Sequence, residues 1–315
     1  MSVYKIVIRQ NGDEPPRRVR IRRRAPPPKP AEQLDPDYVD PAEEEEYDRQ
    51  VRESGGFDVD HCPLAYGGIF PYILTDKYNY PYDTSLLGRL GLHCYNLQKG
   101  TNLELVAINK VNYEMDGASL NYITLEAIDT CNNFPYSFQT LVSKDIVPEE
   151  ASLEVHTQIS RLKVPTSCPR TPPERRWIDE AVDAFYKGKM PTWSTKDNLP
   201  KEQVYELQES DLQENQWIHL YAEFAFHFRW LGYGNGLMSY LPLEFKKVII
   251  QTKESGEESP RMKLKANNSI FYMSFKGNGD PSGMNVEYQA IIRRTMDGMP
   301  GHIRLEVDCL SYVSN

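Results

Sequence analysis

The sequence predicts an α+β protein in which a helix packs on an antiparallel sheet, followed by a second α+β unit. Three observations carry this. Tyr (20) and Pro (23) are both plentiful, a mixture that favours strands and rigid turns over a helical bundle. Apolar residues at helical spacing over 83–97 are followed by segments that alternate with the two-residue period of strands. A helix and then antiparallel strands is also the order read over 174–315, which points to a divergent repeat of the first unit.

Taken in order, Met1–Gln10 is a short alternating stretch with no apolar run of signal-peptide length. From Asn11 to about Glu53 the composition turns to Pro and charge. It opens with Arg17, Arg18, Arg20, Arg22, Arg23 and Arg24 and ends with Glu43–Glu46, the composition of a disordered tail. The Arg run has the form of a nuclear import signal or a phosphate contact, although runs of this kind are more often plain solvated tail. Glu43–Arg52 is expected as a short surface helix. These features set a tail over 1–56, a first folded unit over 57–148, a Pro-rich linker over 149–173 and a second unit over 174–315.

In the first unit, Asp83 or Thr84 is placed to cap a helix on which Leu86, Leu90 and Cys94 recur at steps of four, and Gly100 ends it. Strands are expected over 103–111, 119–129 and 134–143. A helix stripe and one sheet face must cover each other. Prolines 148, 165, 169, 172 and 173 mark the linker. In the second unit, Trp177, Ile178, Ala181, Val182 and Phe185 predict a helix over 174–187. Ile218, Leu220, Ala222, Phe224, Phe226 and Phe228 alternate as a strand, with His219, Glu223 and His227 on its other face. Further strands fit 243–252, 269–275 and 288–295, with a turn at Asp297-Gly298 leading to Ile303, Leu305 and Val307.

The stretch Leu87-Gly88-Arg89-Leu90-Gly91-Leu92-His93-Cys94-Tyr95-Asn96 resembles the helix signature of plant cystatins. Leu87, Gly88, Arg89, Tyr95 and Asn96 agree with it, whereas Leu90, Gly91 and Cys94 depart from it. Leu103–Val106 and Leu120–Ala127 are similar to the strands that follow that helix. As a whole the chain resembles the uncharacterised plant embryo-defective-like family (the domain-of-unknown-function 626 type), on Glu45–Val51, Gly91–Thr101, Lys263–Ala266 and Ile270–Tyr272. That resemblance implies a cystatin/monellin-like fold and supplies no activity.

Cystatins block papain-like proteases with a Gln-x-Val-x-Gly hairpin, an N-terminal Gly and a second hairpin carrying Pro-Trp. The corresponding tip here reads Tyr113-Glu114-Met115-Asp116-Gly117, in which only Gly117 agrees. Two carboxylates entering an apolar cleft cost about as much as a good anchor residue contributes. No Trp stands near Ser143–Asp145, and Gly67-Gly68 reads as a plain turn.

The remaining residues point away from catalysis. As a strand, 218–228 sets His219 and His227 each about 13 Å from Glu223, too far for a dyad. Gly232-x-Gly234-x-Gly236 lacks the strand-to-helix context of a dinucleotide site. Cys62, Cys94, Cys131, Cys168 and Cys309 are scattered and odd in number, which fits reduced thiols in the cytosol or nucleus and no metal or cofactor. A formal charge of −9 argues against general nucleic-acid binding, and no apolar stretch reaches membrane-spanning length. The expected function is non-catalytic protein binding or scaffolding, with residues 113–117 as the candidate contact and the partner unknown. A cystatin-type protease inhibitor, or a small-molecule enzyme in a cystatin-like cup, are the alternatives.

Overall fold

A computed structural model describes residues 39–64, 67–74, 80–147, 152–163, 176–195, 198–231, 234–253, 260–279 and 286–313. The Arg run Arg17–Arg24 lies outside them, as does most of the tail expected over 1–56. The end of that tail is helical: α1 (Pro41–Ser54) opens on Asp40, whose side chain accepts from the Ala42 N–H, and closes on Gly55 at φ 68°. Charge composition hid its central anchor. Tyr47 is buried, and its hydroxyl accepts from the Ile69 N–H at 2.8 Å, pinning the helix to the chain that follows.

From Val39 onward the chain forms one compact unit. The expected division at a Pro-rich linker is therefore corrected: a single ten-stranded sheet runs through both units, in the order β1-β2-β3-β4-β5-β10-β9-β8-β7-β6. Every neighbouring pair is antiparallel.

The first half comprises β1 (Phe70–Pro71), α2 (Tyr82–Lys99), β2 (Leu103–Asp116), β3 (Ala118–Asp129), β4 (Phe134–Val147) and β5 (Ser152–Leu162). Helix α2 forms where its apolar spacing placed it. Leu86, Leu87, Leu90 and Cys94 are buried, and Gly100 at φ 67° stops the helix. Its N-cap is Pro81, because Asp83 is drawn instead into an ion pair with Lys144 on β4, at 2.7 Å. Strand β5 lies inside the expected linker. The prolines bracket it at 148 and 165 and none falls within it, so Leu153 and Val155 alternate into the core undisturbed.

The second half comprises β6 (Val204–Glu206), α3 (Glu209–Glu214), α4 (Trp217–Arg229), β7 (Glu244–Gln251), β8 (Ser269–Lys276), β9 (Val286–Thr295) and β10 (Ile303–Val313). Each half therefore runs from a short strand through helix to four antiparallel strands. The halves meet at a seam where β10 pairs β5, from Ile303↔Thr157 to Val307↔Leu153.

Two expectations in this half are corrected. Residues 218–228 form helix α4, because apolar residues on every side of a helix suit one buried all round. Ile218, Leu220, Tyr221, Ala222, Phe224, Ala225 and Phe226 are all buried, between α2 and the sheet. Over the described residues 176–187 there is no long helix. Among them, short 3₁₀ turns at Asp179–Ala181 and Ala184–Tyr186 lay Val182 and Tyr186 against the sheet over a longer span than a helix would.

Helices α2 and α4 cover one face of the sheet and share its largest core. The opposite face carries two smaller apolar patches. Tyr47, Phe57, Val59, Cys62 and Ile69 pack on Tyr122, Leu141 and Ile159 in the first half. Val182, Tyr186 and Val204 pack on Ile249, Ile270, Tyr272 and Ile291 in the second. The seam between these patches is polar.

Candidate functional site

The expected contact residues sit at the tip of the β2–β3 hairpin. Asp116 pairs with Ala118 across Gly117, whose φ of 74° is the left-handed value that such a turn requires of glycine. Tyr113 stacks on Phe70 of β1 with ring centroids 5.8 Å apart, so it is committed to the sheet. Glu114 accepts from the Tyr122 hydroxyl at 2.8 Å. Met115 is 65% exposed and offers apolar surface. At Gly68, φ is 94° and a side chain would collide with the Tyr47 hydroxyl, so that glycine serves the packing of α1.

Sequence reasoning missed the margin to which this tip belongs. β1 has only two residues, and beyond it Tyr72, Ile73 (76% exposed) and Leu74 stand exposed, as does Val106 (60%) on β2. Among the described residues, no strand pairs with the outer side of β2 from Leu103 to Lys110. Register irregularities at Leu105/Ala107 and Ile108/Lys110 interrupt that edge. Exposure cannot be read from alternation at an edge, because both faces of a short edge strand are half-covered.

Polar groups join α2 to α4. Arg89 and Tyr82 on α2 both bond the Glu223 carboxylate on α4. Burial, then the Glu223 charge, pushes the Tyr82 hydroxyl well above its usual range. On a helix, His219, Glu223 and His227 share one face at steps of four, which replaces the wide strand spacing expected of them. His227 is buried beside Asp83 and Lys144, and burial pushes its ring below the usual range. Deeper in, His93 meets the Tyr221 hydroxyl at 2.9 Å. Burial, then the Arg294 charge, holds His93 down at about 3, so its ring is neutral. Arg294 is fully buried, stacked on Trp217 and Phe271, and donates to the carbonyls of Leu264 and Ala266. These groups tie elements together.

On the opposite face, the seam carries Glu154 and His156 from β5, Arg304 and Glu306 from β10, and Arg293 and Thr295 from β9. Trp177 lies over it: its ring is 4.2 Å from the Arg304 guanidinium carbon and 4.8 Å from the His156 ring. Asp297 holds this cover in place by accepting from the Ile178 N–H and from His302, each at 2.9 Å. Those hydrogen bonds, with one from the Met299 N–H, outweigh burial and keep the Asp297 carboxyl below its usual range. Burial, then Arg304 and His302, pushes His156 down to about 3. Beside Trp177 is a recess of about 150 Å³, lined in part by Val182, Tyr186, Lys187, Arg293, Arg304 and Glu306. The alternation of Ile303, Leu305 and Val307 with Arg304 and Glu306, and of Leu153 and Val155 with Glu154 and His156, is the sequence signal for this polar stripe.

Among the described residues, no group of three or more His, Cys, Asp or Glu is placed to hold a metal ion. None of their helices is long and apolar enough to cross a membrane. Of the Gly-x-Gly-x-Gly stretch, Gly232 lies outside the described residues, and Gly234–Tyr240 is a 3₁₀ turn ahead of β7.

Comparison with known proteins identifies the family. A UPF0725 protein of Arabidopsis thaliana is 52% identical over 283 residues, covering 86% of this chain and 90% of that protein. This chain belongs to the UPF0725 family of plant proteins. Two further Arabidopsis UPF0725 proteins are 39% and 37% identical, over 87% and 84% of this chain and 76% and 81% of their own lengths. The family model described as Protein MS5 matches residues 190–305 of this UPF0725 protein. A crystal structure of MS5 from Brassica napus is similar in fold, with a TM-score of 0.56, 24% sequence identity, and coverage of 74% of this chain and all of that one. The UPF0725 match spans the seam, so both halves are part of the family's common length.

Proposed function

We propose that this UPF0725 protein acts by binding another protein and not by catalysis, through the apolar margin of its first half. The observation that carries this reading is the exposure of Tyr72, Ile73, Leu74, Val106 and Met115 along one edge of the sheet. Apolar surface aligned on an edge is the feature that recruits an extended segment of a partner, whose backbone adds to the sheet while its side chains meet the flanking residues. The two register irregularities of β2 discourage indiscriminate strand pairing, so the edge favours a segment shaped to it.

The cystatin-like part of the reading belongs to the same proposal. Helix α2 followed by β2–β5 is the order expected for a cystatin-like unit, and the repetition of that order in the second half supports a divergent repeat. The likeness to embryo-defective-like proteins fits this reading. In it, the tip at 113–117 has lost protease inhibition, because Tyr113 is held by Phe70 and Glu114 carries charge. The protein works in the cytoplasm, the nucleus or both, the latter through the Arg17–Arg24 run.

The test is affinity capture from plant extract with the full chain and with Val106→Lys and Ile73→Lys variants. Proteins retained by the parent and lost by both variants support the reading. Turnover of a small metabolite by the purified chain, with capture unchanged in the variants, refutes it.

A further inference from the structure

We infer that the recess beside Trp177 binds a compact monocarboxylate with an apolar or aromatic body. The inference is independent of the partner-binding margin, which lies at the far edge of the sheet. The recess measures about 150 Å³, the size of a cavity that accepts benzene. One wall is apolar, formed by Trp177, Val182 and Tyr186, and the other is charged.

The charged wall has two groups disposed to take a ligand, Arg304 and Lys187. Arg293 is committed: it is 3% exposed, forms a two-pronged pair with Glu306, and donates to the Gly188 carbonyl at 2.8 Å. Arg304 is different. Its ion pair is with Glu154, end-on through Nε at 3.3 Å, and that Nε makes no hydrogen bond within the described residues. The Trp177 ring, 4.2 Å from its guanidinium carbon, holds that group in place before a ligand arrives. Glu154 is a poor counter-charge, since burial, aided by Glu306 and Asp145 and opposed by Arg304, raises its carboxyl above the usual range. Lys187 holds Asp179 at 3.3 Å with Asp179 63% exposed, a contact that a better-placed anion displaces at little cost.

The balance of charge selects a monoanion. Lys187, Arg293 and Arg304 face Asp179 and Glu306 in the lining, with Glu154 paired behind Arg304, so the site is close to neutral and a ligand with more than one negative charge is disfavoured. The apolar wall favours a ring or branched chain behind the carboxylate over a bare anion.

The experiment titrates the full chain with benzoate, benzamide and inorganic phosphate by ligand-detected NMR and calorimetry. Benzoate is expected to bind with a Kd on the order of 1 mM or tighter, with benzamide and phosphate at least tenfold weaker. Arg304→Gln is expected to weaken benzoate roughly tenfold or more, the loss of a charge-assisted pair, and Arg304→Lys to weaken it by less. Because Arg304 also packs on Trp177, Lys187→Gln is the second variant. Its side chain is 33% exposed and pairs with the exposed Asp179, so the change should leave the fold intact and weaken benzoate severalfold. Equal binding of benzoate and benzamide, phosphate binding in place of benzoate, no saturable binding of any probe, or benzoate affinity unchanged in the folded variants would each overturn the inference.

Discussion

Arg89 on α2 and Glu223 on α4 form an ion pair that fastens the helix of one half to the helix of the other, and Tyr82 donates to the same carboxylate. Both partners are mostly withdrawn from water, at 30% and 11% side-chain exposure. Removing one leaves the other buried without its counter-charge. Glu223→Ala should therefore lower stability by about 3 kcal/mol, while the apolar double variant Arg89→Met/Glu223→Leu should recover most of that loss. Urea unfolding of the parent, Glu223→Ala, the single variants Arg89→Met and Glu223→Leu, and the double variant checks this, the last three with the parent closing a double-mutant cycle.

Acid should unfold the protein through histidine before its carboxylates titrate. His93 and His156 are each held at about 3 by burial and by neighbouring arginines. A folded value below the unfolded one means that the unfolded chain binds more protons. The stability from these rings is then full above the unfolded value, about 6.5, and is lost as pH falls from there toward 3. Each ring should cost about 2 kcal/mol by pH 5. His93→Gln and His156→Gln should flatten the fall in thermal midpoint between pH 6.5 and 4.5.

Gly91 sits in α2 with Thr140 of β4 directly beneath it: an added Cβ would lie 2.3 Å from the Thr140 Oγ1. Alanine normally stabilises a helix by about 1 kcal/mol over glycine. Here the overpacking should reverse the sign, so that Gly91→Ala destabilises by about 1–3 kcal/mol. Chemical denaturation reads the sign directly.

The purified protein should leave papain-like proteases active at micromolar concentration in a peptide-hydrolysis assay. Tyr113 stacks on Phe70 and Glu114 is bonded to Tyr122, so neither is released to form an apolar wedge. Tight inhibition would show that the tip rearranges.

These predictions rest on parts of the molecule that were unequally visible in the sequence. Helix α2 and the β2–β3 and β9–β10 turns were legible, because apolar spacing, Gly100, Gly117 and Asp297-Gly298 act locally. Helix α4 was not. Ile218 through Phe228 alternate with aromatic and β-branched residues in a strand-like way, and only burial on all sides, a tertiary fact, makes them helical. Strand β5 was masked by prolines that flank it without entering it. The joining of two halves into one sheet is a long-range pairing of Val155 with Leu305, for which neither strand carries a local mark. Of the candidate site, residues 113–117 fall at the β2–β3 turn, but the exposed margin beside them and the Trp177 recess depend on which edges the sheet leaves bare. Trp177 reads as a helix residue until Asp297 is seen to hold the Ile178 backbone in place.

The central claim is that the β1–β2 margin holds a partner. The most direct measurement is quantitative capture from plant extract, comparing the parent chain with Ile73→Lys, Val106→Lys and Met115→Lys. All three positions are exposed, so the substitutions should change stability by no more than about 0.5 kcal/mol. A shared set of proteins retained by the parent and lost in all three folded variants is the predicted result. A captured set that is the same for parent and variants would contradict the account.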